Sequence, residues 1–325
     1  TTGAGNAAVG YQSLYANTTG TENSAFGKNA LASNTTASGN AAFGTFSANN
    51  NTTGTGNAAF GGAIPGVTNA TLMSNTTGGY NTAIGIAALA QNTTASANVA
   101  VGYRAGYTNT TGAQSNYFGR EAGYSSNANY CTMMGDQAGY ASTGTKNTFI
   151  GYYAGGTITS GASNTIIGGY NGNAGGLDIR TSSNNIVLSD GDGNIRLYID
   201  SNGDVLIGKV STSSTVSGIH IGTEKITATR DAGPCAAFVR TGSDGQVVTI
   251  QNDGTTVGSI SVDGSATAFN TSSDYRLKEN VAYDWDATTR LKKLKPARFN
   301  FISTPDTTVD GFLAHEAQTV VPEAV

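Results

Sequence analysis

Charge is scarce in this sequence. Only 12% of its 325 residues are Asp, Glu, Lys or Arg, about half the usual share of roughly 25%, and the formal net charge is −4. Without a basic excess there is no electrostatic footprint for nucleic acid, and none is expected as a partner. Histidine (2), cysteine (2), tryptophan (1) and proline (5) are rare as well. Cys131 and Cys235 lie too far apart in sequence to form a metal or redox motif, and both read as free, buried, small apolar residues. The chain therefore offers no metal centre, and no cofactor is expected. No apolar run approaches the roughly 20 residues of a membrane-crossing helix, and no signal peptide opens the chain, so no membrane insertion is expected. Disorder is excluded too, because 38% of the residues are hydrophobic and the charge is nearly balanced.

Glycine is what the sequence has in excess, 45 residues in all, about twice the average share of about 7%. The few charges are unevenly placed. Residues 1–175 carry only Glu22, Lys28, Arg104, Arg120, Glu121, Asp136 and Lys146. Residues 271–325 hold seven Lys or Arg, eight Asp or Glu, Trp285 and three of the five prolines. The composition thus separates a repeat region at 1–175, a middle segment at 176–270 and a C-terminal segment at 271–325.

The repeat is Asn-x-Ala-φ-Gly, where φ is apolar. Its Gly falls at Gly10, Gly27, Gly44, Gly61, Gly85 and Gly102, and looser copies end at Gly119, Gly135, Gly151, Gly168 and Ser189. The spacing is 17 residues with small departures and one insertion around 62–75, a period that marks a stacked-repeat architecture. A small residue stands three positions after the Gly, as at Ser13, Ala30 and Ala105, then Leu or Gly, and the early copies close with Asn-Thr-Thr. A Gly at a fixed place costs about 1 kcal/mol in a helix interior, so each copy reads as a coil of two short strands with Gly and Asn corners. Alternation sends Ala8 and Val9 to opposite faces. One face lines the coil's interior, and the other is left for neighbouring chains to bury.

Coils about 4.8 Å apart would build a parallel β-solenoid about 45 Å long for ten coils. The Asn-Thr-Thr triplets are also glycosylation sequons, but their regularity reads as corner or side-chain-ladder chemistry. The opening Thr1-Thr2-Gly3 matches the tail of a copy such as Thr18-Thr19-Gly20, so the chain is expected to begin inside a repeat array.

From 176 to 270 the period disappears. Asp190-Gly191-Asp192-Gly193, Asn202-Gly203, Asp244-Gly245, Asp253-Gly254 and Asp263-Gly264 separate alternating runs, the pattern of hairpins in a β-rich neck or shaft. Asp190, Asp192 and Asn194, or Asp200, Asn202 and Asp204, sketch a calcium loop, but neither has the Gly at position six together with the distal Glu that an EF-hand needs. Turn chemistry is the reading.

The last segment contains Ser273-Asp274-Tyr275-Arg276-Leu277-Lys278-Glu279-Asn280, a short helix expected behind an Asp286 cap, then Gly311-Phe312-Leu313-Ala314-His315-Glu316 and Val321-Pro322-Glu323-Ala324-Val325. A Ser five residues before a Lys suits a Ser–Lys dyad if the amine is kept neutral by burial or a nearby cation. His315 with Glu316 reads as a surface pair, and His220 lies in a strand-like run.

These strings resemble the intramolecular chaperone domain of endosialidase-type phage tailspikes and fibres, whose members trimerise, guide the folding of the β-structured shaft ahead of them and cut themselves off. The resemblance implies Ser273 as nucleophile and Lys278 as base, with cleavage between Ser272 and Ser273 by an acyl shift and ester hydrolysis. The family continues into a long helix beyond the point matching Val325, so the first part of that domain is expected here. The coil motif over about 1–170 is similar to the head repeats of trimeric autotransporter adhesins and to repeats of phage tail fibres, although these coils are longer than the adhesin's.

The expected fold is therefore all-β for most of the chain: a homotrimeric parallel β-roll, a β-rich neck, and the start of a small α+β chaperone domain. The expected function is a structural and host-recognition protein of a phage virion, a tail fibre or spike. Its expected partners are its own copies, a host surface glycan or protein receptor, and other tail proteins, and any enzymatic activity would be single-turnover self-cleavage. A trimeric adhesin on a bacterial cell surface is the alternative. A glycan-degrading tailspike would need paired carboxylates, for which the repeats offer only Glu22, Glu121 and Asp136, the last two near equivalent positions of adjacent coils, where stacking would bring them close. Tyr103, Tyr107, Tyr124, Tyr140, Tyr152 and Tyr153 are candidates for sugar stacking or for contacts between chains.

Overall fold

The computed structural model describes residues 2–63, 69–223, 225–264, 266–271, 279–302 and 304–322, and the chain divides into two units, Thr1–Ala237 and Phe238–Val325.

In the first unit the repeat becomes a stack of coils. Each carries one three-residue strand: β1 (Ala7–Val9), β2 (Ser24–Phe26), β3 (Ala41–Phe43), β4 (Ala58–Phe60), β5 (Thr82–Ile84), β6 (Val99–Val101), β7 (Asn116–Phe118), β8 (Thr132–Met134), β9 (Thr148–Ile150) and β10 (Thr165–Ile167). Neighbours pair in parallel, residue for residue. The middle residue of each strand points inward, and Ala25, Ala42 and Ala59 are buried while Phe26, Phe43 and Phe60 face outward.

The Gly after each strand is the corner. Its φ lies between 112° and 141° at all ten sites, and a Cβ on Gly27 would sit 2.6 Å from the carbonyl oxygen of Gly44 in the next coil. Only a residue without a side chain fits there.

The second strand expected in each coil does not form. Positions two and four after the Gly take left-handed φ, such as Asn29 (56°) and Leu31 (50°), and alternate with right-handed residues. That alternation arches the backbone, although its N–H groups still reach adjacent coils, as in Leu31 N to Ser47 O at 3.1 Å. Left-handed φ costs roughly 1–2 kcal/mol per residue and is worst for β-branched side chains. Accordingly, no Val, Ile or Thr adopts it among the described residues.

Two asparagine ladders fix the stacking. The Asn of each Asn-Thr-Thr donates from Nδ2 to the preceding coil's Asn, as Asn75 does to Asn51 (2.7 Å), and to the carbonyl three residues on, Gly78 (2.8 Å). Asn6, Asn23, Asn40 and their successors accept from the next coil's backbone N–H with Oδ1, at 2.9 Å for Asn23 on Asn6. Asn6 apart, these side chains are buried, so the triplets serve as ladder chemistry, with the Asn amide turned away from any glycan. Asn75→Leu would strand Asn51 Oδ1 in a dry interior and cost Gly78 O and Asn92 Nδ2 one bond each, leaving them paired with Asn57 Nδ2 and Ala95 O. At about 1–3 kcal/mol for the orphaned group and about 0.5–1.5 kcal/mol for a net bond lost, a loss of about 2–4 kcal/mol is expected in denaturant unfolding, whereas exposed Thr19→Ala should change little.

Side-chain sizes are exchanged along the core. Early coils pair an inward Ala with Leu four positions after the Gly: Ala25 with Leu31, Ala83 with Leu89. Later coils put Tyr117, Met133 and Phe149 inward and place Gly in the Leu position. A Cβ on Gly123 would lie 2.3 Å from the Tyr117 ring, and one on Gly155 2.8 Å from that of Phe149. Burial pushes the Tyr117 hydroxyl up to about 12.

The 24-residue coil keeps its flanks on the ladder, with Ala63 N bonded to Thr45 O and Leu72 N to Ala88 O, both at 3.0 Å. The extra residues thus fall between regular positions.

Beyond β10, the short hairpin β11 (Asn173–Ala174) and β12 (Leu177–Asp178) closes the last coil. Then β13 (Ile186–Ser189) adds in parallel to β10, and β14 (Ile195–Ile199), β15 (Val205–Ile207), β16 (Gly218–Ile221) and β17 (Ile226–Thr229) follow antiparallel. The result is one 15-stranded sheet.

The second unit contains the antiparallel sheet β18 (Gly245–Asn252), β19 (Thr255–Asp263) and β20 (Ala266–Thr271), the helix α1 (Ala287–Leu291), the hairpin β21 (Ala297–Phe301) and β22 (Thr304–Gly311), and the helix α2 (Ala314–Gln318). The Asp-Gly and Asn-Gly turns at 190–193, 202–203, 253–254 and 263–264 each join two strands, whereas Asp244-Gly245 joins none: it opens β18 after the strandless stretch from 230. Asp286 caps α1 as expected, accepting from Thr289 N at 3.0 Å. No apolar side chain is buried among the described residues of this unit.

Candidate functional site

The residues assigned to self-cleavage, Ser272, Ser273 and Lys278, lie outside the described residues. The described chain brings Thr271 to the end of β20, opposite Gly258, and resumes at Glu279. Downstream, Arg290 donates from Nε to Val320 O at 2.7 Å and stacks over Trp285. These contacts tie α1 to the turn after α2. His315 and Glu316 sit on α2 with no buried neighbour in that helix, and Glu316 lies 3.6 Å from Lys295. His315 is exposed and Glu316 half-buried, so both sit at the surface.

The feature that runs through most of the first unit is an outward apolar column. Val9 pairs with Phe26, Phe26 with Phe43 and Phe43 with Phe60, and the series continues to Ile150 and Ile167. Register then carries it from Ile167 to Leu188, Leu197, Ile207 and Ile219. Thirteen strand spacings of about 4.8 Å give a stripe roughly 60 Å long. Phe26, Phe43 and Phe60 stack in register at 4.8 Å between ring centres. The sequence showed the first ten positions through the repeat. The continuation was hidden because the period is lost, and its one signal was the alternation in Ile195-Arg196-Leu197-Tyr198-Ile199.

The tyrosines sort differently. Tyr107, Tyr124 and Tyr140 stack on one another at 5.1 and 5.0 Å, and Arg104 lies over Tyr107 and Tyr103. Tyr124 is thus stacked between two rings of the same chain, and Tyr107 meets one ring and the Arg104 guanidinium. Tyr152 stays exposed beside Tyr153, 6.3 Å between centres. Asn69, in the inserted stretch, donates to the Tyr107 hydroxyl.

Stacking does bring Glu121 and Asp136 near each other, through Arg120. Its Nε and Nη2 donate to Asp136 at 2.9 and 2.8 Å, and Nη1 to Glu121 at 3.1 Å. The hydrogen bond to Asp136 pushes the Arg120 guanidinium further up. A single guanidinium holding both groups is an ion-pair bridge across coils, a different arrangement from an acid and a base flanking a sugar bond.

The candidate calcium loops are the turns of β13–β14 and β14–β15. Asp190 Oδ1 accepts from the N–H groups of Asp192 (3.1 Å) and Asn194 (2.9 Å), and Arg196 pairs with its other oxygen. Asp200 repeats the turn with Asn202 and Asp204. No cluster of three or more metal-ligating side chains occurs among the described residues.

The Asn194 and Arg196 hydrogen bonds hold the Asp190 carboxyl down at about 2. A depressed folded value stabilises the loop above the unfolded value of about 3.9, and that contribution is lost as pH falls through about 2. Amide exchange in the β13–β14 hairpin should accelerate over that acid window, and Asp190→Asn should remove the dependence.

Cys131 is buried at a ladder position between Ser115 and Asn147, and burial pushes its thiol up. Cys235, expected to be buried as well, is exposed, because it lies in the strandless stretch after β17 where no layer covers it. His220 closes the inward column opposite Leu206, with Nε2 3.3 Å from Asp204.

No helix among the described residues is long and apolar enough to cross a membrane. No curated protein matches this chain, and no solved structure does. The match that exists falls on the segment carrying the Ser273 and Lys278 strings: residues 273–325 fit the family model described as chaperone of endosialidase.

Proposed function

We propose that this chain is a tail-fibre or tailspike-type virion protein: a homotrimeric β-solenoid shaft that contacts the host surface, followed by a chaperone segment that assembles it and is then released. The observation that carries this reading is the chaperone match at 273–325, which directly follows a chain that is nearly all β. An adhesin accounts for the coils equally well but not for that segment.

The physical need for a chaperone is visible in the first unit. Its coils leave an apolar stripe uncovered along the whole stack, far longer than the isolated apolar patches of ordinary monomers. Chains released singly would expose it, and non-local β pairing is slow to form. A segment that gathers three chains first lets the stripes be buried as the coils form. Host recognition would use the solenoid wall, with exposed Tyr152 and the inserted stretch before Thr71 as the irregular features on it.

In the self-cleavage step, the Ser273 hydroxyl attacks the Ser272 carbonyl carbon while the Lys278 amine takes its proton. The C–N bond breaks, the proton passes to the released Ser273 amine, and water hydrolyses the resulting ester. Native mass measurement tests the assembly: three copies per particle is the expected result, and a monomer would overturn it.

A further inference from the structure

We propose that the sheet β18–β20 is a self-association surface, its apolar face packed against the same face of other copies of this chain. The proposal rests on the association reading above and places a contact in the second unit, apart from the solenoid stripe.

The two faces of this sheet differ sharply. Register aligns Val248, Ile260 and Phe269 in one row across the three strands. Ile250 and Val262, two residues along their strands, share that face, and the pairing puts no charged residue on it. The opposite face is polar and satisfied. Asn270 Nδ2 donates to Ser259 Oγ (3.1 Å) and Ser261 Oγ (2.8 Å), and Gln246 Nε2 donates to Ser259 Oγ (3.2 Å). Ser259 is buried beneath this network, whereas Phe269 is 79% and Ile250 55% exposed on the apolar side. That is inverted for a soluble sheet.

Stable sheets bury their apolar face against a second layer, and none is present among the described residues of this unit. Among the described residues of the second unit no apolar side chain is buried, and Phe301, Phe312 and Leu291 are exposed as well. A unit of this size without a core does not hold together alone. Whatever covers the face must therefore be present whenever the chain folds. A copy of the same sheet meets that condition. It brings an equal apolar area, adds no charge to repel its partner, and repeats the same patch on every subunit, as closed symmetric assemblies require.

The test uses the whole chain with exposed Cys235→Ser, Cys131 remaining buried. Phe269→Cys and Ile250→Cys probe the apolar face, and Asn270→Cys the polar one. Mild oxidation should give covalent dimers from the first two and none from the third, and Ile260→Asp should lower the particle mass seen by native mass measurement. A multimeric chain whose mass survives Ile260→Asp, and whose polar-face cysteine cross-links as well as the apolar ones, would overturn this assignment and leave the association reading standing. A monomeric parent chain would overturn both.

Discussion

Chains carrying Ser273→Ala are expected to stay in one piece where the parent chain yields a fragment beginning at residue 273. The step requires an oxygen nucleophile at that position, and Ala has none, so the loss should be complete. Lys278→Met keeps the nucleophile and removes the base. A positioned general base contributes about 10²–10⁴-fold, so cleavage should slow by that order. Ser272→Ala should cleave normally, since Ser272 supplies only its carbonyl. Intact mass and N-terminal sequencing read all three outcomes. Cleavage of Ser273→Ala at the parental rate would remove Ser273 from the mechanism, and an uncut parent chain would remove self-cleavage altogether.

The second large effect is on the solenoid. In Gly119→Ala the new Cβ would fall 2.3 Å from Gly135 O and 2.6 Å from its carbonyl carbon, on a residue with φ 136°. The obstacle is backbone, so relief means parting two coils. Parting them strains the bonds Gly119 N to Val101 O (2.8 Å) and Gly135 N to Phe118 O (2.7 Å). Backbone strain of about 1–3 kcal/mol adds to about 1 kcal/mol for each bond lost, giving an expected destabilisation of about 3–5 kcal/mol. Because a stacked array is held by nearest-neighbour interfaces, the damage should split the stack near residue 119. Gly39→Ala is the control: φ is 70° there, with nothing within 4 Å of the added carbon, so only the conformational cost of about 1 kcal/mol remains. Thermal or denaturant melts should separate the two variants clearly. Equal shifts would mean that the corner glycines are not what sets coil spacing.

Much of the solenoid was legible because its rules are local and repeated. A Gly every 17 residues marks a corner where the next coil's carbonyl occupies the space of a Cβ. A buried Asn at a fixed place has its equivalents above and below as ready partners besides the nearby carbonyl, so its recurrence predicts a ladder. The replacement of Leu31 by Gly106 and Gly123 alongside Ala25 by Tyr117 also lay in the sequence, but its meaning needed to know that those positions face each other across the coil. The missing second strand shows the limit from the other side. Period and composition fit two strands, yet the left-handed φ at Asn29 and Leu31 is set by how the chain must arch to meet its neighbours. Cys235 failed as a core residue for a related reason: small and apolar is not enough where no second layer exists.

The candidate site divides in the same way. Ser273 and Lys278 were assigned through resemblance to a family's string alone, and both lie outside the described residues. Glu121 and Asp136 were correctly placed near each other by the repeat, but only the structure shows that Arg120 binds both and makes them a bridge between coils.

By itself the sequence determined the stacking of coils, most of the Asp-Gly and Asn-Gly turns and the likeness of the C-terminal segment to the chaperone of endosialidase, since all three rest on short-range spacing that any placement of the chain must respect. Tertiary structure alone decided which apolar residues find cover. Ala25 and Phe26 are adjacent, yet one is sealed inside the coil and the other opens a stripe some 60 Å long, and Phe269 stays exposed on a sheet whose polar side is the satisfied one. Burial depends on what lies across from a side chain, and that is settled by the packing of distant parts of the chain rather than by neighbours in sequence.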